Sequence, residues 1–293
     1  MGSTLNNIAG KTVMITGGAG GIGVEVAHRL HAKGANLVLT DLDETKLAAV
    51  ADDLGRDRVL VAVADVCDLA ALEGAVAQAV ERFGGIDVVL ANAGLLTFGS
   101  VLQVDPATFK KLIDVNILGV FHTVRAALPS VIERKGYVLI VSSLAAYAAA
   151  PGVTAYNASK AAVEHFANAL RLEVAHRGVD VGSAHMSWID TSMVNDQKAN
   201  LSAFSEMLTR LPPPLRTVTS VEACGKAFVK GIEKRRRRIN CPGWVGVTRW
   251  LKPVLSTSLG ELPMRGMIPE ILPRMDAEVA ALQRAARGDV GEA

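Results

Sequence analysis

The chain has 293 residues, half of them apolar, only 4% aromatic, and a net charge of +2 from 31 basic and 29 acidic side chains. That length suits one open α/β domain or two small ones. So aliphatic a core suits buried parallel strands, and a balanced charge gives no global reason to invoke nucleic acid or a lipid surface. Cys67, Cys224 and Cys241 are too few and too scattered for a disulfide framework; a reducing cytoplasm is expected, with no signal peptide at the amino terminus and no membrane span.

Taken in chain order, β-rich runs at 11–16, 36–40, 58–63, 86–92, 137–143 and 179–185 alternate with helical patterns at 21–33, 43–54, 68–83, 105–134 and 155–176. Such alternation predicts an α/β fold with a doubly wound parallel sheet and helices on both faces. Beyond residue 190 the pattern changes. Residues 191–215 read as a helical lid ending in three prolines, Ser220 opens another helix, and "INC" (239–241) reads as a last short strand. Residues 1–241 form the expected catalytic domain and 242–293 an extension. Trp244, Val245, Val247, Trp250, Leu251, Val254 and Leu255 are too apolar for a free tail. The expected place for this segment is against the lid, ahead of a terminal helix over 276–287.

The first strand runs into "TGGAGGIG" (16–23). Gly17, Gly21 and Gly23, with Ile22 among them, permit a tight turn and close approach to a pyrophosphate at the following helix N-terminus. Asp41, followed by Leu42, ends the second strand where an acid accepts hydrogen bonds from ribose hydroxyls and repels a 2′-phosphate. No Lys or Arg occupies 36–45, so NAD is favoured over NADP. Asp43 is the better cap for the next helix, which leaves Asp41 free for this task.

Two tyrosines precede Lys160. Tyr156 is four residues before it and shares its helix face; Tyr147 lies ahead of Pro151 and cannot. A phenol titrates near pH 10 and is a poor base until a neighbouring cation favours its phenolate. Tyr156 beside Lys160 can exchange a proton with an alcohol or a carbonyl as hydride moves. The spacing alone is a weak signal.

The glycine turn, "NAG" at 92–94, Asn116, Ser143 and Tyr156-x-x-x-Lys160 occur in an order that resembles the short-chain dehydrogenase/reductase family in its standard-length form, over residues 8–241. The resemblance implies a Rossmann-type fold and an NAD-dependent oxidoreductase. By it, Ser143, thirteen residues before Tyr156, binds the substrate oxygen; Tyr156 is the acid/base; Lys160 also meets the nicotinamide ribose; Asn116 anchors a proton relay. It further implies that Asp65 and Val66 meet the adenine, that Asn92, Ala93 and Gly94 pass beneath the cofactor, and that Ile189 and Thr191 meet the carboxamide. Met186 and Ser187 stand where the family has Pro-Gly.

The resemblance also implies a homodimer or homotetramer, since members of that family pair the helices corresponding to 105–134 and 155–176. Leu95, Leu96, Phe98, Leu144, Tyr147, Trp188, Met193, Phe204 and Met207 make an apolar candidate pocket, so the expected substrate is a lipophilic secondary alcohol or ketone. A non-catalytic dinucleotide sensor would tend to lose Tyr156 or Lys160, and an epimerase or dehydratase would tend to be longer. The histidine pair His28 and His31 lacks a further ligand, and no metal is expected.

Overall fold

The computed structural model describes residues 7–287. Strand β1 (Thr12–Thr16) is fully buried. Its alternating side chains serve two layers: Val13 and Ile15 pack toward one side of the sheet, Met14 toward the other. Helix α1 (Gly21–Ala32) follows, then β2 (Asn36–Asp41), α2 (Glu44–Leu54), β3 (Val59–Val63), α3 (Leu69–Phe83) and β4 (Val88–Ala91). Asp43 caps α2 by accepting from the Lys46 N–H, and Asp68 caps α3 through the Ala71 N–H. Gly84, in the left-handed region at φ 75°, ends α3.

Helix α4 (Pro106–Ile113) starts on the Asp105 cap, with proline where a missing N–H costs nothing. It passes through a π turn at Asp114–Leu118 into α5 (Gly119–Glu133). The single helix expected over 105–134 therefore carries one wide turn. Although 106–133 is long and apolar enough to cross a membrane, half of its most apolar stretch is buried within the protein. There Val120, Val124, Ala127 and Val131 pack in the core beneath the sheet.

Strand β5 (Tyr137–Val141), α6 (Thr154–Val174), β6 (Asp180–Met186), the paired lid helices α7 (Ser192–Asn200) and α8 (Ser202–Arg210), α9 (Val221–Glu233) and β7 (Arg238–Cys241) complete the sheet. The seven strands are parallel in the order β3-β2-β1-β4-β5-β6-β7. The order reverses between β1 and β4, which opens a crevice at their carboxyl ends, where ligands of such sheets bind. Cys67, Cys224 and Cys241 are all free thiols.

Among the described residues, the segment beyond β7 forms three helices: α10 (Val245–Leu255), α11 (Ser258–Arg265) and α12 (Ile268–Arg287). It divides its loyalties. Met267, Ile271, Met275 and Val279 recur every fourth residue and are buried with Phe204 and Met207 of the lid. Glu278 accepts from Ala203 N at 3.1 Å, Asp276 accepts from Ser100 N at 2.7 Å, and Arg274 meets Glu206 at 2.6 Å. Residues 245–255 do not take the place on the lid that their composition suggests. Only Val245 turns inward, against Tyr147 and Ala146, while Val247, Trp250, Leu251 and Val254 face outward. A second apolar face was legible in the composition; its direction depends on which neighbour the chain reaches first.

Candidate active site

The turn after β1 is held from below by the turn after β4. Asn92 donates its amide to the carbonyls of Thr16 and Gly17, both at 3.1 Å, and its own N–H reaches Thr16 Oγ1 at 3.1 Å. Gly17 has φ 67°. A Cβ on residue 23 would lie 2.2 Å from the Gly17 carbonyl oxygen, and one on residue 21 would lie 2.9 Å from Thr191 Cγ2. These two positions therefore leave no room for a side chain. Gly94 is flanked in the same way: a Cβ there would meet Asn116 Oδ1 at 3.3 Å and Lys160 Nζ at 3.5 Å.

Helix α1 starts without a side-chain cap, unlike α2, α3, α4 and α9, and has no acid in its first turn. Its orphan N–H groups and positive dipole end suit an anion. Beside this turn, Asp41 accepts from Ala19 N at 3.1 Å and Leu42 N at 2.8 Å, which fixes its carboxylate at the mouth of the crevice. The Leu42 side chain is exposed and Ile22 is half-buried against the core. Asp65 accepts from Cys67 N at 2.8 Å, and Val66 is buried with its carbonyl 3.0 Å from His122 Nδ1.

The path after β6 is fixed despite Met186 and Ser187. Ser187 N donates to Cys241 O at 3.0 Å, Trp188 O accepts from Thr219 N at 2.8 Å, and Asp190 N donates to Thr219 O at 2.9 Å. Ile189 is buried in this bridge, and Thr191 is delivered onto Gly21. The glycine turn, Asp41 and Thr191 thus border one cradle, and its close backbone approach and uncapped helix fit a nicotinamide dinucleotide.

Tyr156 and Lys160 lie one turn apart on α6, with the Lys160 ammonium 5.6 Å from the phenol ring centroid. Lys160 is buried, donates to Val141 O at 3.0 Å, and has its pKa lowered by desolvation to about 8. It remains cationic at neutral pH. Ser143 caps a short 3-10 turn, accepting from Ala145 N at 3.1 Å, and its hydroxyl lies near enough to the Tyr156 phenol to influence its titration. Burial raises the Tyr156 pKa, and the Ser143 contact opposes the rise. The phenol is thus protonated at neutral pH, and a further cation would make it a better base.

Asn116 occupies the π turn, a distortion frequent at functional sites. Its side chain accepts from Leu95 N at 2.7 Å and donates to Leu95 O at 2.9 Å and Ser159 Oγ at 3.0 Å. Ser142 is structural: its buried hydroxyl donates to the Lys160 carbonyl at 2.9 Å and ties β5 to α6. Tyr147 stands apart from Tyr156. It stacks on His185 with ring centroids 4.4 Å apart, and burial together with the Glu164 carboxylate pushes it up to about 12. Leu96 and Trp188 pack with Tyr156 against Phe98, Phe204 and Met207, so the phenol faces an apolar lid. The Phe98 and Phe204 rings meet at a 55° tilt with centroids 4.5 Å apart; Met193 is exposed.

The sequence model of the family described as short chain dehydrogenase matches residues 11–202. The chain belongs to that family. The chain is 30% identical over 254 residues to "11-beta-hydroxysteroid dehydrogenase A" of Sesamum indicum, covering 84% of this chain and 72% of that one. Its fold is similar to a Brucella melitensis structure described as "Short-chain dehydrogenase/reductase SDR:Glucose/ribitol dehydrogenase", with TM-score 0.71 and 30% identity over 80% of this chain and 97% of the other. A short chain dehydrogenase from Mycobacterium paratuberculosis, solved bound to NAD, has TM-score 0.70 and 26% identity, covering 80% of this chain and 97% of that one.

Three supporting residues escaped sequence reasoning. Thr16 accepts from Asn92 N and Ala93 N; Ser159 holds Asn116; and His185 lies under Ser143. Thr16 closing an apolar strand and Ser159 adjoining Lys160 were the available signals. His185 had none. It is wholly buried, with Nδ1 3.2 Å from the Ser143 carbonyl and Nε2 2.9 Å from Ser183 Oγ. A carbonyl only accepts, so Nδ1 carries the proton and Nε2 accepts from the serine. Among the described residues no group of three potential ligands could hold a metal ion.

Desolvation, with Arg238, Arg249 and Lys252 nearby, lowers His185 to about 4. An unfolded histidine titrates near 6.5 and takes up its proton first as the pH falls. The stability tied to neutral His185 is full above pH ~6.5 and is lost between ~6.5 and ~4, by roughly 3 kcal/mol. Urea midpoints should therefore fall across that window. In His185→Gln this part of the decline should flatten; an unchanged pH dependence in the variant would contradict the assignment.

Proposed function

We propose that this protein is an NAD-dependent oxidoreductase that interconverts a lipophilic secondary alcohol and its ketone, with Tyr156 as the acid/base. The observation that carries the reading is Tyr156 one helical turn from the buried Lys160, whose ammonium lies 5.6 Å from the phenol ring centroid, and facing an apolar lid. Gly17, Gly21, Ile22 and Gly23 would receive the pyrophosphate, Asp41 and Leu42 the adenosine ribose, Asp65 and Val66 the adenine. Asn92, Ala93 and Gly94 would floor the cofactor, with Ile189 and Thr191 at its carboxamide. When bound, the nicotinamide supplies hydride transfer and, oxidised, a positive charge.

The protein's own groups do the rest. Ser143 orients the substrate oxygen by a hydrogen bond. Tyr156 gives its phenolic proton to that oxygen in reduction and takes it back in oxidation. Lys160 stabilises the phenolate by charge and also binds the nicotinamide ribose. Asn116 holds Leu95 and Ser159 so that Gly94 leaves a passage between its amide and Lys160, where a proton relay would run. Leu95, Leu96, Phe98, Leu144, Trp188, Phe204 and Met207 exclude water. The name of the sesame relative, a hydroxysteroid dehydrogenase, agrees with such a lining. Loss of NADH absorbance with a panel of apolar ketones, steroids and acyl derivatives tests the reading. At least one apolar ketone should be turned over. Binding of NADH without net consumption across the panel would favour a sensor or an epimerase instead.

Asp41 makes NAD the preferred cofactor. Its carboxylate is pinned at the crevice, and the nearest candidate cation, Lys46, is drawn to Asp43 at 2.9 Å. Asp41→Ala should collapse the preference in kcat/KM for NAD over NADP, by removing both the ribose bonds and the repulsion. A wild-type preference for NADP would overturn the assignment.

The assembly is a homodimer or homotetramer built on α5 and α6. Phe121 and Leu118 are exposed there, beside a groove lined by Val124, Leu128, Phe166 and Leu170. Light scattering should give a multiple of 30.8 kDa at micromolar concentration; a monomer would contradict it. Three free thiols suit a reducing cytoplasm.

A further inference from the structure

His185 stands near the end of β6, where it is wholly buried. A polar ring so placed needs partners for both nitrogens, and it has them. Nδ1 donates to the Ser143 carbonyl at 3.2 Å, and Nε2 accepts from Ser183 Oγ at 2.9 Å. Ser183 is itself fully buried, so its hydroxyl fixes the tautomer in which Nδ1 carries the proton. The face of the ring is occupied as well. Tyr147 stacks on it with an interplanar angle of 20°, and Val245 of α10 packs against Tyr147.

These contacts hold both ends of the turn that carries Ser143. Just before it, Ser142 is tied twice, by its N–H to Ala184 O at 2.8 Å and by its hydroxyl to Lys160 O at 2.9 Å. Ser143 is extended, with φ −164° and ψ 164°, and its hydroxyl accepts from Ala145 N. Its carbonyl takes two donors, Ala146 N at 3.1 Å and His185 Nδ1. Ala146 belongs to the turn and moves with it. His185 belongs to the sheet, so it supplies the fixed point. Four residues beyond Ser143, the Tyr147 ring rests on the same imidazole. One side chain of β6 thus registers the turn against the sheet at residues 143 and 147. Were the Ser143 carbonyl released from it, the peptide plane could rotate and swing the serine hydroxyl with it.

We propose that His185 is a positioning residue for Ser143: through the Ser143 carbonyl it sets where the Ser143 hydroxyl stands, and it touches neither substrate nor cofactor. The proposal rests on the reading of Ser143 as the group that binds the substrate oxygen. A hydrogen bond to that oxygen strengthens as charge develops there, so a misplaced hydroxyl lowers kcat more than it raises KM. The helical extension then has a task in the site, because Val245 backs Tyr147 and Tyr147 backs His185.

The test joins amide exchange of the full chain to a double-mutant cycle, run with NADH and the apolar ketone that the absorbance panel identifies. His185→Phe keeps a ring for Tyr147 and removes both nitrogens. His185→Gln keeps a polar group toward Ser183 and serves if the first variant does not fold. His185→Asn puts an amide N–H near the place of Nδ1. The Phe and Gln variants should speed exchange of the Ala145, Ala146 and Tyr147 amides, which bond within the turn. They should lower kcat by about 10- to 100-fold and leave NADH affinity unchanged. The Asn variant should return both readouts to within a few-fold of wild type. In a Ser143→Ala background, His185→Phe should cost less than about twofold, since a residue acting only through Ser143 has nothing left to place. An equal loss in both backgrounds would make His185 merely structural and overturn the proposal, as would wild-type kcat in the Phe or Gln variant. Wild type that turns over no ketone would instead remove the reaction assigned above. Unchanged exchange at residues 145–147 in Phe and Gln would even then overturn the hold of His185 on the turn.

Discussion

Tyr156→Phe should lower kcat by about 10²- to 10⁴-fold while NADH affinity stays close to wild type. The hydroxyl it removes is the one that meets Ser143 one turn from Lys160. The ring itself, packed against Leu96, Trp188 and the lid, is kept. Tyr147→Phe should stay within a few-fold of wild type, because its ring stacks on His185 and its phenol is held near 12. Steady-state kinetics of the two variants, with NADH binding followed by fluorescence, separates the tyrosines. Comparable activity in Tyr156→Phe and wild type would remove the acid/base assignment.

Gly23→Ala should weaken NADH binding by about two orders of magnitude. The new methyl cannot coexist with the Gly17 carbonyl 2.2 Å away, so the turn must move and give up the 3.1 Å bond from Asn92 to Gly17. Displacements of about 1 Å at such a site can cost 10²-fold in function. Gly74→Ala is the matched control: residue 74 lies on α3, and a Cβ there meets nothing within 4 Å. Alanine at that position should raise the thermal midpoint slightly through helix propensity and leave NADH binding alone. Unchanged NADH affinity in folded Gly23→Ala would mean that this turn does not carry the pyrophosphate.

Most of the sheet was legible in the sequence for a physical reason. Buried parallel strands need aliphatic runs such as "KTVMIT", and the helices between them show a 3.6-residue period, with a capping side chain on α2, α3, α4 and α9. The capping role of Asp43 was legible too, since only Asp43 stands where it can cap α2. The π turn around Asn116 was not. One extra residue in a turn leaves no mark in an apolar pattern as short as "DVNILG". The helical extension was hidden by its prolines, which sequence reasoning takes as breakers; Pro253 and Pro273 both lie inside helices. The repeat Met267, Ile271, Met275, Val279 was the better signal, with one face every fourth residue. For α10 the apolar residues were plain, but composition cannot say which face meets Tyr147 and which is left outside.

The most direct measurement of the central claim is the fate of a labelled hydride. Wild type should be given NADH carrying deuterium at both C4 positions and whichever apolar ketone the absorbance panel identifies, and the alcohol product examined by mass spectrometry. Stoichiometric deuterium at the carbinol carbon, lost with turnover in Tyr156→Phe, is the result expected. Product alcohol without the label, or label released to water, would contradict direct hydride transfer at this site.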